Sequence, residues 1–226
     1  MRKFMPVIAC IVFILVVIPN HALSQDTKSK YDIMLQSLLE RVKSKDPSLG
    51  DEKVASKAFK ELRFAYTETP QYNPYGGIKV KIGGDMLTAV YNKEYKKALE
   101  FAEKILKEDY VDIDAHIVAS TAYRESGNQK KADYHQAIFS MLFLSMSEDG
   151  HGDELETAIE VISVDEEYSF LNLSGLKVKS QALLQINGHN YDRLTVVDPV
   201  SSKTIKMYFC TDKPFNWFQK SLEKGD

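Results

Sequence analysis

Tyr95-Lys96-Lys97-Ala98-Leu99-Glu100 returns in degenerate form as Gln129-Lys130-Lys131-Ala132-Asp133-Tyr134, so that Ala98 and Ala132 stand 34 residues apart. A period in the 20–50 range marks stacked supersecondary units, and about 34 residues suit two antiparallel helices with their turns. Helical spacing fills the repeat. Tyr95, Ala98, Leu99, Ala102, Ile105 and Leu106 form one apolar stripe. Ala115, Val118, Ala119, Ala122 and Tyr123 form the next, closed by the helix stop Ser126-Gly127-Asn128. A third stripe is Ala132, His135, Ile138, Phe139 and Leu142. Alanines at 98, 119 and 132 let neighbouring backbones approach, so these three side chains are expected to be buried.

Upstream, Tyr31, Met34, Leu35, Leu38, Leu39 and Val42 predict an amphipathic helix over 29–44, which Asp46-Pro47-Ser48 stops. Ala55, Ala58, Phe59, Leu62, Ala65 and Tyr66 predict a second. The segment Thr67 to Gly77, with two prolines and two glycines, forbids regular structure. Tyr72, Asn73 and Tyr75 within it fit either a crossover loop packed on helix ends or a recognition loop.

Three segments are similar to an uncharacterised bacterial family, domain-of-unknown-function family 4919: Leu62 to Tyr75, Tyr110 to His116, and Val161 to Tyr168. The resemblance implies an exported protein with a helical-repeat core and transfers no activity, substrate or catalytic residue. The repeat resembles tetratricopeptide units over about two copies. Gly83-Gly84 interrupts the first unit and Tyr110 stands where a helix-ending proline is usual, so a plain helical bundle stays an alternative. If the register holds, the inner helices line a peptide groove. That groove places Leu87, Val90 and Tyr91 beside Ile117, Thr121, Arg124 and Glu125. The competing reading packs these residues against the N-terminal helices or the sheet.

Met141 to Met146 is apolar on nearly all sides and should be covered by both halves of the protein. Ser147 to Asp153 reads as a linker, Ile159 to Val164 as a short strand, and Asp165-Glu166-Glu167 as the capped start of a brief helix. Alternation then predicts a strand with Leu176, Val178, Ala182, Leu184 and Ile186 on one face. Asn187-Gly188 turns it into a second strand, His189 to Val197, since both residues accept positive φ. A third strand should turn Ile205, Met207 and Phe209 inward, and Phe215, Trp217 and Phe218 form an aromatic tail that seals the sheet edge or docks a partner. The fold expected is α+β: residues 25–146 a tetratricopeptide-like helical array, residues 147–226 a small antiparallel β-sheet.

Residues 1–24 carry Arg2 and Lys3, an apolar run from Phe4 to Ile18, and Ala22-Leu23-Ser24, the pattern of a secretory signal peptide cleaved before Gln25. Cleavage leaves 27 basic against 32 acidic residues and Cys210 as the only thiol. No internal disulfide is then possible, and the charge argues against nucleic acid. The product would be periplasmic or extracellular, with no membrane attachment after cleavage.

Nucleophile elbows, zinc motifs and phosphate loops are missing. The histidines fall on separate elements, and a cation shared by His151, Asp153 and Glu154 is disfavoured as ordinary linker solvation. No cofactor, metal or catalytic residue is assigned. The sequence therefore points to a non-catalytic module that binds another envelope protein or a peptide. The candidate contacts are Tyr72, Asn73, Tyr75, Tyr91, Ile117, Thr121, Arg124 and Glu125. The alternative is an envelope enzyme or small-ligand binder, its site lying between the Tyr72–Tyr75 loop, the helices and the sheet.

Overall fold

A computed structural model describes residues 28–223; the signal-peptide reading of residues 1–24 lies outside them. The first helix, α1 (Lys30–Ser44), opens on a capping box in which Ser29 Oγ accepts from Asp32 N and the Asp32 carboxylate accepts from Ser29 N. A 3₁₀ turn at Pro47–Gly50 follows, and then α2 (Glu52–Tyr66), which buries Ala55, Phe59, Leu62, Ala65 and Tyr66.

The repeat region forms α3 (Ile78–Tyr91), α4 (Tyr95–Glu108), α5 (Ile113–Glu125) and α6 (Gln129–Met146). Each packs on the next, and α2 closes against α6. Ala98, Ala119 and Ala132 are all 0% exposed. The close approach they permit has a direct marker: Ser120 Oγ on α5 donates to the backbone carbonyl of Ala132 on α6 at 2.9 Å. Gly83-Gly84 does not interrupt the first unit, contrary to expectation, because α3 runs through both. Glycine costs about 1 kcal/mol in a helix, which burial of Met86 and Ala89 on the same helix outweighs.

A four-stranded sheet follows in the order β1 (Ile159–Glu160), β4 (Thr204–Cys210), β3 (His189–Val197), β2 (Lys177–Ile186). Asn187 and Gly188 hold φ of 52° and 82° at the β2–β3 turn, as a tight hairpin requires. Two expectations are corrected. The sheet is mixed, since β1 pairs in parallel with β4, and β1 is only two residues long because Ser163 caps the following helix, α7 (Val164–Leu173). On β4, Met207 and Phe209 are buried but Ile205 is 40% exposed. On the edge strand β2, a register shift between Val178 and Ser180 leaves Val178 exposed.

The aromatic tail is a helix, α8 (Asp212–Glu223), packed on β3, with Trp217 lying against the core. One apolar cluster runs continuously from Phe59, Leu62, Ile138 and Leu142 to Leu194 and Phe209. A second, around Met86, Ile105 and Ala119, belongs to α3–α6. The helical stack and the sheet thus share an interior, and α6 lies within it.

Candidate functional site

Polar groups converge where the Thr67–Gly77 segment crosses the start of α5 and the start of α7. Tyr72 turns inward and its hydroxyl donates to the Ile162 carbonyl at 2.7 Å. Burial and the Glu166 carboxylate push its phenol well above the ordinary range. Asn73 holds the turn: its side-chain oxygen accepts from Tyr75 N, and its carbonyl accepts from Gly77 N. A side chain at Gly77 would come within 2.9 Å of that carbonyl, which explains glycine there.

Beneath this turn lies a cavity of about 50 Å³ walled by Tyr72, Asn73, Pro74, Asp109, Asp112, Glu166 and Ser169, among others. It has room for a few waters or one small polar group, far below the ~300 Å³ of a metabolite pocket. Lys79 Nζ, from the first turn of α3, donates to Asp112 at 2.8 Å and to Asp114 at 2.8 Å. Burial alone would lower the lysine, but the two carboxylates more than offset it and hold the ammonium charged. Asp112 also caps α5 through Ala115 N, and Asp114 accepts from Ser169 Oγ on α7. Asp109 has Val111 N as a donor. Burial, with Asp112 and Glu166 nearby, pushes its carboxyl well above the usual carboxylate range.

Behind the cavity Arg63, fully buried, forms a two-pronged pair with Glu166 at 2.8 and 2.6 Å and also donates to the Glu160 carbonyl. Glu166 further accepts from Ile162 N. The expected cap at Asp165 is supplied instead by Ser163, whose Oγ accepts from Glu166 N. Glu167 points elsewhere, into the α7–β3 interface. It is fully buried, neither carboxylate oxygen has a hydrogen-bond partner, and it faces Asp192. Burial, then the Asp192 charge, raise its carboxyl to about 9.

Two of the histidines, although on separate helices, meet in space. His116 and His135 bring their Nδ1 atoms to 2.9 Å, and His116 Nε2 lies 2.9 Å from the Tyr110 carbonyl. A carbonyl only accepts, so His116 carries its proton on Nε2 and takes one from His135 Nδ1–H. Burial lowers them to about 3 and about 4, and both stay neutral. Among the described residues no cluster of three or more His, Cys, Asp or Glu is placed to hold a metal.

The candidate contacts divide. Tyr72 and Asn73 wall the cavity, whereas Tyr75 is 45% exposed and packs on Trp217 and Phe218 at 6.2 and 5.6 Å. Tyr91, 87% exposed, ends α3, while Ile117 and Thr121 are half-buried on α5 and Ile117 packs into the larger core. Arg124 and Glu125 are exposed at the end of α5, with Arg124 reaching Gln136 at 3.2 Å. Arg63, Lys79, Asp109, Asp112, Asp114 and Asp192 were not among the candidates. Asp109, Asp112 and Asp114 had a visible signal, three acids clustered between two helical stripes.

Fold and site together define an α+β protein in which ion pairs around a polar cavity tie α2 to α7 and α3 to the start of α5, beside a small mixed sheet. The chain belongs to the family described as domain of unknown function DUF4919, whose profile matches residues 22–220. No curated protein and no solved structure matches it.

Proposed function

We propose that the protein is an exported, non-catalytic binding module whose α3–α6 helices act as two tetratricopeptide-like units. Its partner is a peptide or helix of another envelope protein, seated along α3 and α5. The observation that carries this reading is a row of apolar side chains on the outer face of α3. Val80, Leu87 and Tyr91 are 58%, 51% and 87% exposed. Their spacing of seven and four residues places them on one helical stripe, the anchor pattern of helix-in-groove recognition. Large apolar groups in such a row are the exposed feature that asks for an explanation, where a lone one does not. Arg124 and Glu125, exposed at the end of α5, add charged contacts for orientation. Affinity capture from an envelope extract tests it. Tyr91→Ala with Leu87→Asp should abolish recovery of a partner that wild type retains; equal recovery refutes the assignment.

A second reading rests on the cavity beneath Tyr72 and Asn73, which suits one small polar group at the junction of helices and sheet. A thermal-shift screen with metals, sugars and cell-wall fragments tests it, because a ligand of the native state raises Tm. A response that survives Asn73→Ala and Lys79→Met would place the ligand elsewhere.

A further inference from the structure

A second cleft, of about 700 Å³, opens between the turn after α2 and helix α8. It owes nothing to the α3–α5 face. We propose that it binds an extended acidic peptide segment of a partner protein.

Its floor and walls include Pro70, Tyr72 and Trp217 as apolar surface and Lys213, Asn216 and Lys220 as donors. Lys213 and Lys220 are seven residues apart, nearly two helical turns, so they project from one face of α8 about 10.5 Å apart along the axis. Alternate residues of an extended chain share a face, and i and i+4 on that face lie about 13 Å apart. Carboxylates at i and i+4 of an extended peptide therefore reach the two ammonium groups on their flexible four-carbon stems, with the side chain at i+2 on the same face over Trp217. Neither lysine is ion-paired among the described residues. Lys213 is held instead over the Phe64 ring at 3.9 Å, which fixes its position and leaves its charge uncompensated. Glu68 on the opposite rim is occupied, loosely, by Lys30 Nζ at 3.9 Å. In a chain with more acidic than basic residues, this wall is a local reversal of sign. Such a reversal steers an acidic partner and repels a basic one.

The aromatic geometry favours a peptide over an acidic sugar. Trp217 is half-buried and flanked by Tyr72 at 6.4 Å and Tyr75 at 6.2 Å. A ring so flanked offers a notch for a side chain rather than a flat platform for a pyranose.

Trp217 is the only tryptophan of the chain, so its emission reports on this cleft alone. The purified protein is titrated with the capped peptide Glu-Ala-Phe-Ala-Glu, with its Lys-Ala-Phe-Ala-Lys counterpart, and with a tri-uronate. The acidic peptide is expected to shift Trp217 emission saturably, and the shift to weaken steeply between 50 and 500 mM salt. The basic peptide should do nothing. Lys220→Gln, on an exposed side chain, should weaken binding about threefold, and adding Lys213→Gln about tenfold, the scale of rim ion pairs. Tyr91→Ala should leave it unchanged, which separates this cleft from the α3–α5 face. No saturable shift at millimolar peptide overturns the proposal. So does an equal response to the basic peptide, insensitivity to Lys220→Gln, or preferential binding of the uronate.

Discussion

Glu167→Gln should make the protein more stable at neutral and alkaline pH, against the usual sign of a core substitution. Glu167 is fully buried on α7 opposite Asp192, whose Oδ2 accepts from Gln181 at 2.5 Å and whose Oδ1 has no partner. No donor reaches either oxygen of Glu167. Burial first, then the Asp192 charge, raise its carboxyl from 4.5 to about 9, and the proton it keeps supplies a donor toward Asp192. The unfolded chain releases that proton above its ordinary value and the folded chain keeps it. The folded state therefore binds more protons across this window, and stability falls as pH rises through it. At pH 7 the penalty covers roughly 2.5 pH units, or ~3 kcal/mol at about 1.36 kcal/mol per unit. Glutamine has the shape of the protonated acid, donates toward Asp192 and releases no proton on unfolding. Urea denaturation at pH 4.5, 6, 7 and 8 reads the difference. With a slope of ~2 kcal/mol per molar urea, the variant's midpoint should exceed wild type by about 1.5 M at pH 7 and converge with it at pH 4.5. A pH-independent offset, or a less stable variant at pH 8, would refute the shared proton.

The His116–His135 pair has the opposite sign. Both are neutral when folded, with values lowered to about 3 and about 4, so stability present above pH 6.5 is lost as pH falls. Urea midpoints at pH 7 and 5 should show His116→Gln losing ~2 kcal/mol less than wild type on acidification. Arg63→Met leaves Glu166 as an uncompensated buried charge and should cost about 3–5 kcal/mol, read as a fall in urea midpoint; Glu166→Leu in the same chain should restore part of it. Ala119→Leu forces a branched side chain between α5 and its neighbours, and calorimetry should show a lower Tm, from a cost of about 1–3 kcal/mol.

The helices were legible because each carries a stripe at helical spacing, and the buried alanines because a recurring small residue at a fixed period has few other uses. The hairpin was legible from Asn187-Gly188, whose chemistry is local. Errors arose where the deciding interaction is distant in sequence. Ile159 to Val164 has strand composition, yet Ser163 caps α7 and leaves two residues to pair with β4 in parallel, a neighbour some fifty residues away. Phe215, Trp217 and Phe218 read as a sealing tail, although Phe215, Phe218 and Leu222 keep helical spacing behind Asp212; what no local pattern shows is the packing of their helix against β3.

The ionic part of the site was half visible. Arg63 lies in the same arc as Phe59 and Tyr66, at i+4 and i+7, so the pattern that buries those aromatics buries the guanidinium with them. Asp192 alternates with Leu194 and Val196 along β3 and shares their inward face. Glu167 shares a helical stripe with Phe170 and Leu171. In each case a charged residue occupies a core position of an otherwise apolar pattern, a signal that needs no partner to be noticed. What the pattern leaves open is the pairing: Arg63 meets Glu166 in a two-pronged ion pair, whereas Glu167 meets another acid and holds a proton. The first arrangement fastens α2 to α7. The second makes the seam between α7 and the sheet weaken as pH rises, so α7 is the element whose attachment answers to its surroundings.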